Sequence, residues 1–450
     1  RLRHLPPLLL LGLLVLLAAL VPMVTSNQYV IRVLGNICLF GLLALGLNVV
    51  VGYAGLLDLG YVAFFGIGGY GYALLSSEQF GIHLPSLLTV PLIIVLTALF
   101  GLLLGSVSLR LTGDYLAIAT LGFAQIFVLL ALSMDRVGLP WSEEAVNITG
   151  GPNGITNLDR IHLLGFQFTS VTDYLYLLLF SLTLVLLALY HINESRVGRA
   201  WRALREDPLA AAAMGIPVRR MKLMAFAIGA AIAGLGGSIF AAWQTAVFPS
   251  NFDLVLLITL YAMIVLGGVG SLRGAIAGAI LLAVIPELLR GAETARLLFY
   301  GALVVGSLVL FRPRWHGVAL LGAVILFGLV IAIMADALLP QFLGPPAVPA
   351  PSLLGRSVQS WLIFPRNSVL VGNVAFVVVV GLLMVTSRMR QGMRRFVLLV
   401  PTLYLLAFVW ETRLAAEPSI TRLLFFGAIL VLLMTYRPQG IFGQPRVEVV

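Results

Sequence analysis

The side chains able to do chemistry in this chain are few and scattered. Five histidines, His4, His83, His162, His191 and His316, stand far apart, and Cys38 is the single cysteine. No His/Cys/carboxylate cluster has metal-ligand spacing, and one cysteine permits no intrachain disulfide. Neither a Gly-x-Gly-Asp run nor paired intramembrane aspartates suggest a protease. Lys222 is the sole lysine, and the absence of Gly-x-x-x-x-Gly-Lys excludes a Walker A nucleotide site. What remains is a sparse polar set within apolar runs: Asn48, Asp58, Asp114, Gln125, Gln244 and Glu287. Ionisable groups at membrane depth are costly and usually functional. This inventory points to transport or scaffolding rather than catalysis, and it implies no cofactor.

Each polar position also has a plainer reading. Asp114, after Thr112-Gly113, reads as a helix-start carboxylate that complements the helix dipole. Asp58, in Asp58-Leu-Gly-Tyr61, stands evenly between that role and a functional one. Glu287, between Pro286 and Arg290, reads as interfacial. Gly66-Ile-Gly-Gly-Tyr-Gly71 matches a dinucleotide fingerprint in form only, since no strand–turn–helix surrounds it. Gly229, Ala233 and Gly237, and likewise Gly274 and Gly278, are spaced for close helix approach. Gly267-Gly268-Val-Gly270 is expected to break a helix, either for packing or to offer free backbone groups to a polar solute. The candidate solute path is therefore Asn48, Asp58, Tyr61, Tyr115 and Gln125, with Gly267 and Gly268 close by.

The elements that must position these residues are membrane spans. The chain has 450 residues, 60% hydrophobic and 10% charged, with a mean hydropathy of +1.06. That composition is outside the range of soluble domains, and long continuous apolar runs exclude a barrel. The fold class is all-α, a polytopic helical membrane protein of about 12–14 transmembrane segments. The expected spans are 5–25, 29–51, 56–78, 84–109, 114–134, 172–192, 220–246, 252–269, 271–290, 296–311, 317–338, 368–387, 395–411 and 419–436. Gly clusters leave 56–78 and 252–290 open to breaks or re-entrant segments. The first apolar run, after Arg1-Leu-Arg-His4, reads as a retained span rather than a cleaved leader. The net charge of +10 is an orientation signal. With these spans Arg1/Arg3, Arg110, the 194–222 loop, Arg273, Arg312/Arg314, Arg388–Arg395 and Arg437 fall on one side. Both termini are then expected in the cytoplasm, and the loops 135–171 (with Glu143 and Glu144) and 340–366 outside.

The most informative loop runs from Glu194 to Lys222. Arg196, Arg199, Arg202 and Arg205 recur every third residue, and the positive charge assigns the loop to the cytoplasm. Asp207 is a helix N-cap candidate, Pro208 suits a first turn, and Leu209 to Met214 are mostly good helix formers. Gly215 ends that helix and Pro217 blocks its continuation. A short helix presented at the cytoplasmic face is what a membrane protein needs when a soluble partner must push on it.

The chain also echoes itself. Arg296-Leu-Leu-Phe-Tyr-Gly-Ala302, leading to Phe311-Arg-Pro313, resembles Arg422-Leu-Leu-Phe-Phe-Gly-Ala428, leading to Tyr436-Arg-Pro438. Matches at both ends of one helix favour duplication over coincidence. The expected division is a core, 1–316, additional spans with a copied terminal helix, 317–436, and a cytoplasmic tail, 437–450.

Five stretches carry a family resemblance: Gly55-Leu-Leu-Asp-Leu-Gly-Tyr-Val-Ala-Phe-Phe65, Leu111–Phe123, Ile148-Thr-Gly-Gly-Pro-Asn-Gly-Ile155, Gly198–Pro208 and Val265–Ser271. Together with Arg437-Pro-Gln-Gly-Ile-Phe-Gly443, they resemble the LivM-type permeases of branched-chain amino acid ABC importers. The resemblance covers about residues 30–313. It implies a subunit of the bacterial or archaeal inner (plasma) membrane, forming half of a translocation path. Its implied partners are a second permease, two cytoplasmic ATP-binding subunits and an extracytoplasmic solute-binding protein, all within lipid. ATP hydrolysis would reside in the partner. Residues 208–214 correspond to the coupling helix, with Arg199, Arg202, Arg205, Glu206, Asp207, Ala210, Ala211 and Gly215 as the implied ATPase-coupling set. Ala210-Ala211 precede Gly215 at the spacing of Glu-Ala-Ala-x-x-x-Gly, but Leu209 replaces the acid and Glu206 and Asp207 are displaced. Permeases for urea or amides, and ion-coupled secondary transporters, are the alternatives.

Overall fold

The computed structural model describes residues 7–443, except 109–110, 112, 139–145, 164, 312–314, 347–351, 390–391 and all of 415–438 other than Leu424, Gly427, Val431 and Thr435. It is helical, with only two-residue strands between spans. Two compact units are present, Arg1–Val284 with Leu430–Val450, and Ile285–Ile429. The expected boundary at 316/317 lies inside the second unit.

The first unit runs α1 (Pro7–Val24), α2 (Gln28–Leu47), α3 (Tyr61–Leu75), α4 (Ser86–Ser108), α5 (Asp114–Ser133), α6 (Val171–Glu194), α7 (Arg196–Glu206), α8 (Pro208–Ala213), α9 (Val218–Gln244), α10 (Leu254–Gly267) and most of α11 (Leu272–Leu288). Helix α9 is its centre and packs against α2, α3 and α4. Small residues make that possible. A Cβ on Gly68 of α3 would stand 2.6 Å from the Gly234 carbonyl oxygen, and one on Gly101 of α4 would stand 2.8 Å from that of Phe226. In a membrane, where apolar burial gives no advantage over lipid, such backbone approach is the main source of packing energy. Gly66, Gly68, Gly69 and Gly71 all lie within α3, so the fingerprint-like glycines are packing residues. Gly274 likewise lets α11 approach the backbone of Gly267.

The second unit holds α12 (Ala292–Leu310), α13 (Trp315–Leu338), α14 (Leu353–Gln359), α15 (Ser368–Arg388) and α16 (Met393–Val409). Its core gathers Val324, Trp361, Val379, Tyr404 and Phe408. At one end Arg296, fully buried, forms a bidentate pair with the buried Glu411. Its Nε stands 3.0 and 3.1 Å from the two carboxylate oxygens and its Nη2 2.8 Å from Oε2. Nη1 donates to Glu293 at 2.8 Å, and Ser352 donates to the same Glu293. Glu411 sits in a one-turn π-helix, Trp410–Leu414.

Among the described residues nine helices are long and apolar enough to cross a membrane, ten if α11 and α12 form one span. Parts of α1 and the whole of α3 are apolar but shorter. The last expected span, 419–436, and the second copy of the internal echo lie almost entirely outside the described residues.

Candidate functional site

The expected cytoplasmic helix forms as the sequence dictates. Asp207 adopts extended backbone, and its Oδ1 accepts the Leu209 and Ala210 N–H groups at 2.7 and 3.1 Å. Pro208 fills the first position, where a missing N–H costs nothing. At the other end Gly215 takes φ +80°. The Gly215 and Ile216 N–H groups then reach back to the Ala212 and Ala211 carbonyls at 3.0 and 3.1 Å, the reciprocal closure that a left-handed glycine permits. This six-residue helix buries Ala211 but leaves Leu209 and Met214 82% and 83% exposed. Glu206, Asp207, Ala210 and Gly215 are exposed as well.

Helix α7 carries α8 and anchors it. Trp201 and Leu204 are buried. The Trp201 indole donates to the Met221 carbonyl at 2.9 Å and stacks on Tyr53 at 6.2 Å. The arginines divide by role. Arg199 donates to the Glu194 carbonyl at 2.9 Å, and Arg202 to the Asn193 carbonyl and Oδ1 at 3.1 and 2.8 Å. Both therefore satisfy the carboxyl end of α6, where cations are favoured. Arg205 instead turns inward, donating to the Gly52 carbonyl at 2.6 Å. Its side chain also lies against Gly55 and Gly270.

That contact joins the arginine-rich loop to two interrupted helices. Helix α2 ends in a π-helix, Asn48–Tyr53, an interruption the sequence did not signal. Such insertions are frequent at functional sites. The expected break at Gly267–Gly270 is also present, with φ +115° at Gly268 and +85° at Gly270. Asn48, fully buried, ties the two together by accepting the Gly270 N–H at 2.8 Å. The chain's closing residues pin the same break, since the Ile441 and Phe442 N–H groups donate to the Leu266 and Gly267 carbonyls at 3.0 and 2.8 Å.

Asp58 and Tyr61 belong to the same neighbourhood. Both are fully buried, and the Tyr61 hydroxyl lies against Gly46, two residues before Asn48. Asp58 does part of a cap's work, because its Oδ1 accepts the Gly60 N–H at 2.9 Å just before α3. Its carbonyl accepts from the Tyr261 hydroxyl at 2.6 Å, and the next residue, Leu59, donates to Thr120 at 2.9 Å. Asp58 Oδ2, Asn48 Nδ2 and the Tyr53 and Tyr61 hydroxyls are buried without a hydrogen-bond partner. Each such atom costs about 1–3 kcal/mol. All four fall within residues 48–61, the π-helix and the segment that follows it.

Two expected lining residues stand apart from this group. Tyr115 is 72% exposed, and Gln125 is exposed on the same helix, whereas Thr120 and Ala124 of α5 face inward. Asp114 lies in the first turn of α5, but Gly113 is the cap residue and no side chain caps that end. Thr120, Tyr261 and Arg205's inward contact were not legible beforehand, because a lone Thr, Tyr or Arg in Leu-rich sequence carries no periodic signal. Among the described residues no His/Cys/Asp/Glu group could hold a metal ion.

The family profile described as the branched-chain amino acid transport system / permease component matches residues 29–329. The chain belongs to that family. It is 39% identical over 330 residues to the high-affinity branched-chain amino acid transport system permease protein LivM of Escherichia coli, covering 68% of this chain and 74% of that one. It is 40% identical over 296 residues to the LivM of Salmonella typhimurium (61% and 66%), and 27% identical over 294 residues to BraD of Pseudomonas aeruginosa (61% and 90%). No solved structure matches the chain. As a member of this family the protein is a multi-pass membrane permease component of a transport system, not an enzyme.

Proposed function

We propose that the protein is the permease subunit of an ATP-driven importer for branched-chain or related neutral amino acids, supplying half of the translocation path. A second permease, two cytoplasmic ATP-binding subunits and an extracytoplasmic solute-binding protein complete the machine. Its membrane is the inner (plasma) membrane, with both termini and the 194–222 loop cytoplasmic. The observation that carries this reading is the connection from α8 to the helix breaks. A capped helix with two exposed apolar side chains is suited to sit in a groove of a soluble subunit. Through α7 and Arg205, its displacement bears on Gly52, Asn48 and Gly270.

The path runs by Asn48, Asp58, Tyr61 and the Gly267–Gly268 break. A zwitterion presents an ammonium and a carboxylate, and Asp58 Oδ2 offers an acceptor to the first and Asn48 Nδ2 a donor to the second. Few contacts are wanted, because import requires release and the binding protein sets affinity. Tyr115 and Gln125, exposed on α5, meet the path from its outer side or face the second permease. The substrate class rests on the names the relatives carry. The test is reconstitution of the chain with its permease, ATPase and binding-protein partners in proteoliposomes. Labelled leucine should accumulate only with internal ATP, outside binding protein and all membrane subunits. Accumulation by this chain alone, driven by a proton or sodium gradient, would overturn the assignment.

A further inference from the structure

The second unit contains a cavity of about 720 Å³ between α12, α13 and α16. Its wall is apolar, with Leu303, Phe311, Leu320 and Leu399 among its residues, and no Asp or Glu lines it among the described residues. The polar contribution is of one kind. Arg395 and His316 reach the cavity, and Arg395 Nε and His316 Nδ1 are buried without a hydrogen-bond partner. Ser307 also lines it, but its hydroxyl is spent on the Val304 carbonyl at 2.8 Å. The amino end of α16 opens here, with Gly392 as the cap residue and no side chain satisfying its N–H groups. Arg394, the residue before Arg395, is exposed. Trp315, 64% exposed, stacks on the His316 ring at 3.9 Å, as aromatic residues do at the edge of a bilayer.

We propose that this groove binds an anionic phospholipid, its phosphate held by Arg395 and His316 and an acyl chain laid along the apolar wall. A buried guanidinium N–H without an acceptor is costly, and a phosphate oxygen satisfies it with a charge-assisted bond. The helix end adds positive potential to the same place. A free phosphate would use the charge but leave the apolar wall unexplained, whereas a phospholipid uses both. Basic pockets between membrane helices hold anionic headgroups by this combination. The leaflet, cytoplasmic by the orientation proposed above, does not enter the binding argument, and neither does the amino acid path in the first unit.

The test uses the purified full chain and native mass spectrometry. Phosphatidylglycerol should be retained in preference to phosphatidylcholine of the same acyl chains. Arg395→Gln should weaken phosphatidylglycerol retention about tenfold, as expected for one charge-assisted hydrogen bond, and weaken that of phosphatidylcholine, whose choline offsets its phosphate, less. Arg395→Lys, a charge-keeping variant that covers the case of a Gln protein that does not fold, should retain part of the preference. Ala319→Phe, which fills the groove, should reduce retention while the charge stays. Equal retention of the two lipids, undiminished phosphatidylglycerol on folded Arg395→Gln, or displacement by inorganic phosphate alone would overturn the proposal.

Discussion

Arg205 and Gly52 are 153 residues apart and joined by a 2.6 Å hydrogen bond from the guanidinium Nη1 to the carbonyl. The carbonyl is available because the π-helix ends there. The Ala54 and Leu56 N–H groups bond to Val49 and Val50 instead. Orphan carbonyls at a helix end carry partial negative charge, and a cation is the partner they favour. One arginine thereby fixes the end of a membrane helix to the loop that presents α8.

Replacing Arg205 by Met should therefore separate transport from ATP hydrolysis. A hydrogen bond to a charged group contributes about 1.5–3 kcal/mol. Its loss should lower uptake by roughly an order of magnitude in an assembled complex whose ATPases still turn over. Arg199→Met, which removes only a bond to the Glu194 carbonyl, should change uptake little. Equal effects of the two variants, or wild-type uptake by Arg205→Met, would remove Arg205 from the coupling path.

Gly215 gives a second, sharper test of α8. Nothing lies within 4 Å of where its Cβ would stand, so steric contact is no obstacle and only the φ of +80° demands glycine. Asn tolerates that region and Val does not. Gly215→Asn should keep uptake near normal, and Gly215→Val should uncouple it at the cost of about 1–2 kcal/mol of backbone strain. Membrane insertion should be unaffected in both. Uptake and solute-stimulated ATP hydrolysis of the two variants decide the matter, and a functional Val variant would count against the role of this helix.

The short helix was legible because each of its features is local. Cap, proline, run of alanines and terminal glycine fall within nine residues, from Asp207 to Gly215, and need no tertiary context. The Gly267–Gly270 break was legible for the same reason. The π-helix at Asn48–Tyr53 was not, since Asn-Val-Val-Val-Gly-Tyr reads equally as continuous helix. It is tied to Arg205 and Gly270, 153 residues after Gly52 and 222 after Asn48. Tyr115 shares a family-like stretch with Thr120, and Gln125 follows it, but sequence could not say which face of α5 turns inward, because apolar residues are spread round the whole helix. The Arg296–Glu411 pair was hidden by its 115-residue separation.

Topology can be read by labelling. Leu209, 82% exposed, lies in the arginine-rich loop, and Gln167, also exposed, lies in the 135–171 loop. In a background where the buried Cys38 is replaced, Leu209→Cys should react only from the cytoplasmic side and Gln167→Cys only from the opposite one. Labelling of both from one side would reverse or discard the orientation drawn from the positive charges.

The last prediction concerns the ion cluster of the second unit. Arg296 and Glu411 are both essentially inaccessible, at 0% and 1% exposure, so the pair is far from the weak surface case. Removing one partner leaves a buried charge uncompensated, at about 3–5 kcal/mol, whereas replacing both by apolar groups of similar volume is often neutral or stabilising. Glu411→Leu alone should thus lower the thermal midpoint of the detergent-purified chain strongly. Arg296→Met with Glu411→Leu should recover much of that loss. Recovery is expected to be incomplete, because Glu293 also bonds Arg296 and Tyr300 lies 3.4 Å from Glu411. Uptake measured on the double variant then separates two roles. If the pair only holds the unit together, transport returns with stability. A stable double variant that does not transport would assign the buried charges a part in moving solute. A double variant no more stable than the single one would show that the neighbouring Glu293 and Ser352, rather than the pair, set the energetics of this end.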